Sequence, residues 1–150
     1  MNNNNIIFRE GKLIMKKNLL LIFAVFFIVP NICSQTYFSS YEKKICDYNN
    51  KTGKYDDCSE KEYNTLFKMN KAETMIEHTT PDLKSSYYVN DKKYNDSISL
   101  YMYMVTSDVG NKYIFVFDID AKEIRVLGES KETGNYYIIT WYIKKMWTEE

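Results

Sequence analysis

Residues 98–128 read ISLYMYMVTSDVGNKYIFVFDIDAKEIRVLG, and this stretch carries the clearest structural pattern in the chain. Successive side chains of an extended strand point to opposite faces of a sheet. The alternation gives the first strand one face made of Ile98, Leu100, Met102 and Met104. Residues 113–117 are apolar on both faces, which is typical of a central strand buried on both sides. Residues 123–127 alternate again, and polar turns separate the three segments, so the sequence predicts consecutive antiparallel strands.

The same pattern extends beyond this stretch in both directions. Residues 135–147 predict a long final strand and complete a four-stranded meander. Weaker strand patterns cover 37–47, 66–69, 74–79 and 85–89, whereas 59–63 fits one helical turn capped by Ser59. The chain is therefore expected to be mainly β, with about seven antiparallel strands. The pattern fits a small sandwich or an up-and-down barrel and does not separate the two.

The N-terminal region has the layout of a secretory signal peptide. Lys16 and Lys17 precede the apolar run 19–29, and Ser34 provides a small residue before the expected cut. The run is shorter than the roughly 20 residues that span a bilayer. We therefore interpret 15–34 as a signal peptide and 35–150 as a single exported domain. Residues 1–14 are best explained by a misassigned start, the alternatives being a long retained leader or an uncleaved amphipathic anchor.

This layout predicts an exported protein, periplasmic or extracellular, whose mature chain has no stable membrane span. Cys33 raises the alternative of a lipid anchor. Acylated cysteines follow small residues, whereas the bulky Ile32 stands directly before Cys33. Lipid anchoring at Cys33 is therefore not expected.

Charge and aromatic content narrow the classes of partner. The formal net charge of the whole chain is +0, and acidic side chains slightly outnumber basic ones after residue 34. This balance gives no basic patch for nucleic acid. All 14 tyrosines lie after residue 34. Tyrosine packs well on strands and also serves on recognition surfaces, so Tyr101, Tyr103 and Trp141 are candidates for contact with a ligand or partner.

Two cysteines remain in the predicted mature chain, Cys46 and Cys58. In an oxidising compartment an even pair favours a disulfide. Closing so short a loop stabilises the fold by about 3 kcal/mol on the chain-entropy model. The spacing is far from Cys-x-x-Cys, which argues against a redox site.

His78 is the single histidine, and its neighbours in sequence include Glu73, Glu77 and Asp82. A histidine beside a carboxylate can act as a general acid or base. However, the chain contains no nucleophile motif such as Gly-x-Ser-x-Gly. The simpler interpretation is a structural histidine at a strand end, and no enzyme activity is predicted.

Metal binding has three candidate positions. Asp47, Asn49, Asp56 and Asp57 surround a turn at Gly53 and offer oxygen ligands for calcium, but their spacing does not match an EF-hand. Asp118 and Asp120 form a smaller pair. A soft-metal site would combine His78 with Met69, Met75, Met102, Met104 and Met146. Turn chemistry and core packing explain these residues more simply, so neither a metal nor another cofactor is predicted.

The sequence thus favours a small exported binding or protein-interaction domain. The ligand could be a protein, a glycan or a small apolar molecule, and one concrete version is an inhibitor or immunity-type protein. If the fold is a barrel, an interior cavity is expected to be lined by Met102, Met104, Phe115, Phe117 and Trp141. The alternatives are a secreted hydrolase-type enzyme that uses His78 with a carboxylate, and a structural envelope component.

Overall fold

The computed structural model describes residues 34–149, which form eight antiparallel strands joined in sequence order. The strands are β1 (Gln35–Asn49), β2 (Lys54–Asn70), β3 (Met75–Thr79), β4 (Lys84–Asn95), β5 (Leu100–Ser107), β6 (Lys112–Asp118), β7 (Glu123–Glu129) and β8 (Tyr136–Glu149). Each strand pairs with the next, and β8 pairs with β1, so the sheet closes into a barrel. In this part of the chain there is no helix with the length and apolar character needed to cross a membrane.

Closure joins the two ends of the predicted mature chain. Gln35 lies opposite Glu149, and the rings of Tyr37 and Trp147 stack 5.2 Å apart across the seam. Stacked aromatic pairs across neighbouring strands stabilise the strand register. The predicted antiparallel meander is confirmed, and of the two alternatives the barrel is right, with eight strands rather than about seven.

The inward side chains fill the centre of the barrel. On neighbouring strands Tyr103, Phe115 and Val126 lie opposite one another and share the interior face. The large side chains that are less than 2 % exposed are Phe67, Phe115, Ile76, Ile124 and Val105. Burying one such side chain contributes roughly 1.5–3 kcal/mol. Packing of this kind is expected for an eight-stranded barrel, whose interior is just wide enough for side chains.

The sequence predicted that Met102 and Met104 of β5 would line the interior of a barrel, and this prediction is wrong. Met102 and Met104 lie opposite Val116 and Ile114 on the outer face, whereas Val105 is 1 % exposed inside the barrel. Alternation fixes which residues share a face but does not say which face is buried. Phe115, Phe117 and Trp141 do face inward, as predicted.

The helical turn predicted at 59–63 is wrong. Ser59 and the residues after it belong to β2, where they pair with β1. β3 contains only 5 residues and pairs with positions 66–69 of β2. Positions 54–65 consequently pair with β1 and with no other strand in the described chain. β4 also continues through the polar residues 90–93, with an irregularity between Val89 and Asp91.

Candidate binding groove

An apolar row crosses the outer face of three neighbouring strands. Met104 of β5 lies opposite Ile114 of β6, and Ile114 lies opposite Leu127 of β7. Their neighbours Val105 and Val126 point into the core, so strict alternation turns Met104, Ile114 and Leu127 outward. An outward apolar row is unusual on a solvated barrel and marks a possible contact surface.

The side chains of two tyrosines form walls beside this row, and the row and walls together make a groove. Tyr55, near the tip of the β1–β2 hairpin, and Tyr136, at the start of β8, are both exposed and stand beside the row. Burial raises the pKa of the Tyr55 hydroxyl, and the nearby Tyr48 and Tyr136 add to the shift. The groove has a volume of about 500 Å³. Its lining is formed by Tyr55, Asn90, Met104, Val105, Lys112, Tyr113, Ile114, Leu127, Gly128, Glu129 and Tyr136.

Two opposite charges lie at one end of the groove. Lys112 and Glu129 both line it. The β6–β7 pairing runs from Ile114 and Leu127 to Asp118 and Glu123, so Lys112 and Glu129 lie two residues beyond its last pair, on the outward faces of their strands. Neither side chain takes part in an ion pair among residues 34–149. The groove therefore offers an apolar body and an end with one positive and one negative group.

The groove meets the barrel mouth at this end. A cavity of about 860 Å³ lies between the β5–β6 and β7–β8 loops, and it shares Lys112, Tyr113 and Glu129 with the groove. Gly128 lines the groove and packs directly against Tyr137, which lines the mouth cavity, since a Cβ at Gly128 would lie 2.6 Å from the ring of Tyr137. Burial, with Tyr113 beside it, raises the pKa of Tyr137 to about 12. Tyr137 is therefore neutral at ordinary pH.

A disulfide braces the hairpin that carries Tyr55. Cys46 of β1 and Cys58 of β2 have their sulfur atoms 2.07 Å apart, in agreement with the predicted pairing. The residues on either side of Cys46, Ile45 and Asp47, line the mouth cavity. The bond therefore ties together two strands at the place where no third strand supports β2.

His78 lies in the core rather than at a surface site. Its ring stacks on Phe67, with ring centres 4.6 Å apart, and meets the edge of Trp141 at 5.4 Å. Burial lowers the pKa of His78 to about 4, and the positive charge of Lys43 contributes. Its Nε2 atom is buried and has no hydrogen-bond partner among residues 34–149, as is the case for Nε1 of Trp141. A histidine in this state is neutral near pH 7 and has no contact with solvent through Nε2.

The carboxylates that sequence placed near His78 are engaged elsewhere. Glu73 contacts Lys92 and Tyr103. Glu77 forms ion pairs with Lys68 and Lys84. Asp82 accepts a hydrogen bond from the hydroxyl of Tyr63. The described structure therefore holds no hydrogen-bonded pair of His78 with a carboxylate.

The candidate calcium ligands form a hydrogen-bonded turn, as the simpler interpretation of these residues expects. Asn49 donates from Nδ2 to Asp56 at 3.0 Å, and its Oδ1 accepts from the backbone N–H of Lys51 and Thr52. Asp57 adopts a positive φ of 51° at the irregularity beside the disulfide. Asp118 binds Arg125 at 2.8 Å. Among residues 34–149 no three histidine, cysteine or acidic side chains are grouped to hold a metal ion.

The predicted contact residues do not meet at the groove. Tyr103 and Trp141 are buried in the core, and Tyr101 is exposed beside Tyr94 near the opposite end of the barrel. Sequence reasoning did not single out Lys112, Glu129 or the outward apolar row. One signal was present: the segment 113–117 is apolar on both faces, and its outward residues Ile114 and Val116 supply that second face.

Comparison of this chain with protein-family models, with curated proteins and with solved structures found no match. Its function is therefore inferred from the groove itself.

Proposed function

We propose that this protein is a small exported binding domain whose outer groove receives the apolar part of a ligand. The observation that carries the proposal is the groove of about 500 Å³ with its aliphatic floor and tyrosine walls. Small-molecule sites are typically concave and mostly apolar, with a few polar groups that fix orientation. The groove fits that description in size and in chemistry.

The groove is favoured over the barrel interior as the place of binding. The interior is occupied by Phe67, Phe115 and Ile124, each no more than 1 % exposed. A ligand there would have to displace close-packed side chains, which costs several kcal/mol. The outer row can be covered without any such rearrangement.

Export is part of the same proposal. Disulfides persist in oxidising compartments and are rare in the cytosol, and the sulfur atoms of Cys46 and Cys58 lie at bonding distance. This supports the interpretation of 15–34 as a signal peptide.

The test is binding of a fluorescent apolar probe, anilinonaphthalene sulfonate, to oxidised residues 35–150. Leu127→Glu places a negative charge in the floor and is expected to weaken binding about tenfold or more, since it removes apolar contact from the probe and repels its sulfonate. Leu83→Glu, on the exposed β3–β4 turn, is the matched control and should leave binding unchanged.

A second matched pair tests the walls. Tyr136→Ser is expected to weaken binding, whereas Tyr88→Ser should not, although the two side chains are 54 % and 52 % exposed. Equal effects of the groove and control variants, in proteins with unchanged circular dichroism, would place the probe elsewhere and refute the proposal.

A further inference from the structure

We infer that the ligand of the groove is an amphipathic zwitterion, with an apolar body and a head that carries one positive and one negative group. The inference rests on the proposed function and adds the chemical class of the ligand. A free amino acid with a long apolar side chain has this chemistry.

The apolar body is specified by the groove floor. Met104, Ile114 and Leu127 form a continuous row across three strands. Burial of apolar surface contributes in proportion to the area covered, and the row offers no hydrogen-bonding side chain along its length. An extended aliphatic segment is the simplest shape that covers it.

The charged residues at the end of the groove indicate the head group of the ligand. Lys112 of β6 and Glu129 of β7 both line the groove, and neither has an ion-pair partner in the described chain. Other charges on these strands are already paired, as Arg125 is with Asp118 and Glu123 at 2.8 and 2.7 Å. Lys112 and Glu129 are therefore the groove's available charges.

Opposite charges on the two sides discriminate among ligand heads. An anionic head gains from Lys112 but is repelled by Glu129, and a cationic head experiences the reverse. A head with both charges can satisfy both side chains at once. Tyr136 pairs with Glu129 across β7 and β8, so an aromatic side chain stands beside Glu129 and favours a cationic nitrogen there.

The test compares four ligands that share a ten-carbon skeleton and differ in the head: α-aminodecanoate, decanoate, decylammonium and decanol. Each is titrated as a monomer, at pH 7 and low salt, into oxidised residues 35–150, and binding is measured by calorimetry. We expect the zwitterion to bind about fivefold tighter than the singly charged ligands, the change that corresponds to one exposed ion pair.

Charge-removing variants sharpen the comparison. Lys112→Met should shift the preference to decylammonium, and Glu129→Gln should shift it to decanoate. Lys71→Met, on the β2–β3 turn, and Asp120→Asn, on the β6–β7 turn, lie at the opposite end of the barrel. They are the matched controls and should leave the preference for the zwitterion intact.

The outcomes separate the inference from the proposed function. If all four ligands bind equally, or if the control variants change the preference as much as the groove variants, the inference is refuted while apolar binding stands. If none of the four ligands binds, both the inference and the proposed function fail.

Discussion

At the scale of single residues, His78 makes the stability of the barrel depend on pH. The packing of its ring between Phe67 and Trp141 lowers its pKa to about 4, whereas histidine in an unfolded chain titrates near 6.5. Between these values the unfolded state binds the proton and the folded state does not. The contribution of His78 to the free energy of unfolding is therefore fully present above about pH 6.5. As the pH drops towards 4, this contribution falls by about 3 kcal/mol.

We predict that His78→Phe removes this contribution, because phenylalanine keeps the aromatic stack and does not titrate. Urea unfolding of both proteins at a series of pH values from 7 to 4 measures it. The wild-type protein should lose about 3 kcal/mol more than the variant over that range. Carboxylates such as Glu73 titrate in both proteins and cancel in the difference. Parallel stability curves for the two proteins would contradict the prediction.

At the scale of elements, the β1–β2 hairpin depends on its disulfide more than the rest of the barrel does. Positions 54–65 pair with β1 and with no other described strand. The bond between Cys46 and Cys58 spans 12 residues and holds this overhang. A staple of that loop length contributes about 3 kcal/mol, and local opening should be greatest where the fewest neighbours restrain the backbone.

We predict that Cys46→Ser/Cys58→Ser lowers the free energy of unfolding by about 3 kcal/mol. Amide hydrogen exchange should also become faster at positions 54–65 than the loss of global stability explains. In β5–β7 exchange should speed up only by the amount that the loss of global stability explains. Because Tyr55 lies on this hairpin, binding of the apolar probe should weaken as well. Uniform acceleration along the whole chain, or none at 54–65, would show that the disulfide has no local role.

The strands differ in how far sequence alone could locate them, and the reason is physical. β5, β6 and β7 were predictable because each has a buried face, so that residues such as Val105 and Ile124 alternate with outward side chains. Positions 59–63 have no buried face. The only pattern there was Ser59 followed three residues later by Glu62, which is typical of a helix start. In the structure these residues pair with β1 and are part of a strand instead.

The groove escaped prediction for a related reason. The outward apolar row exists because the register between β5, β6 and β7 aligns Met104, Ile114 and Leu127. Alternation within a single strand says nothing about alignment with its neighbours. Lys112 and Glu129 are 17 positions apart in sequence and line the same groove only because the fold brings β6 beside β7.

At the scale of the whole molecule, barrel closure limits how far along the chain an N-terminal cut can fall without damage to the fold. The first strand starts at Gln35, which pairs with both Asn70 and Glu149. Phe38, 4 % exposed, belongs to the core. A cut after Ser34 leaves β1 whole. Removal of residues through Phe38 would leave a cavity in the core and cost about 3–5 kcal/mol.

We predict that the exported protein begins at Gln35 and contains no free thiol. Expression of the full chain in a bacterium with a periplasm, followed by fractionation and intact-mass measurement, tests both statements. The expected mass is that of residues 35–150 less two hydrogens, because Cys46 and Cys58 are joined. Replacement of the apolar run 19–29 with serine provides the control and should leave the protein in the cytosol, since the run is what a signal peptide requires. Recovery of the unaltered precursor from the cytosol, with the thiols of Cys46 and Cys58 free, would overturn the assignment to an exported class, whereas the groove would remain to be tested on the oxidised barrel alone.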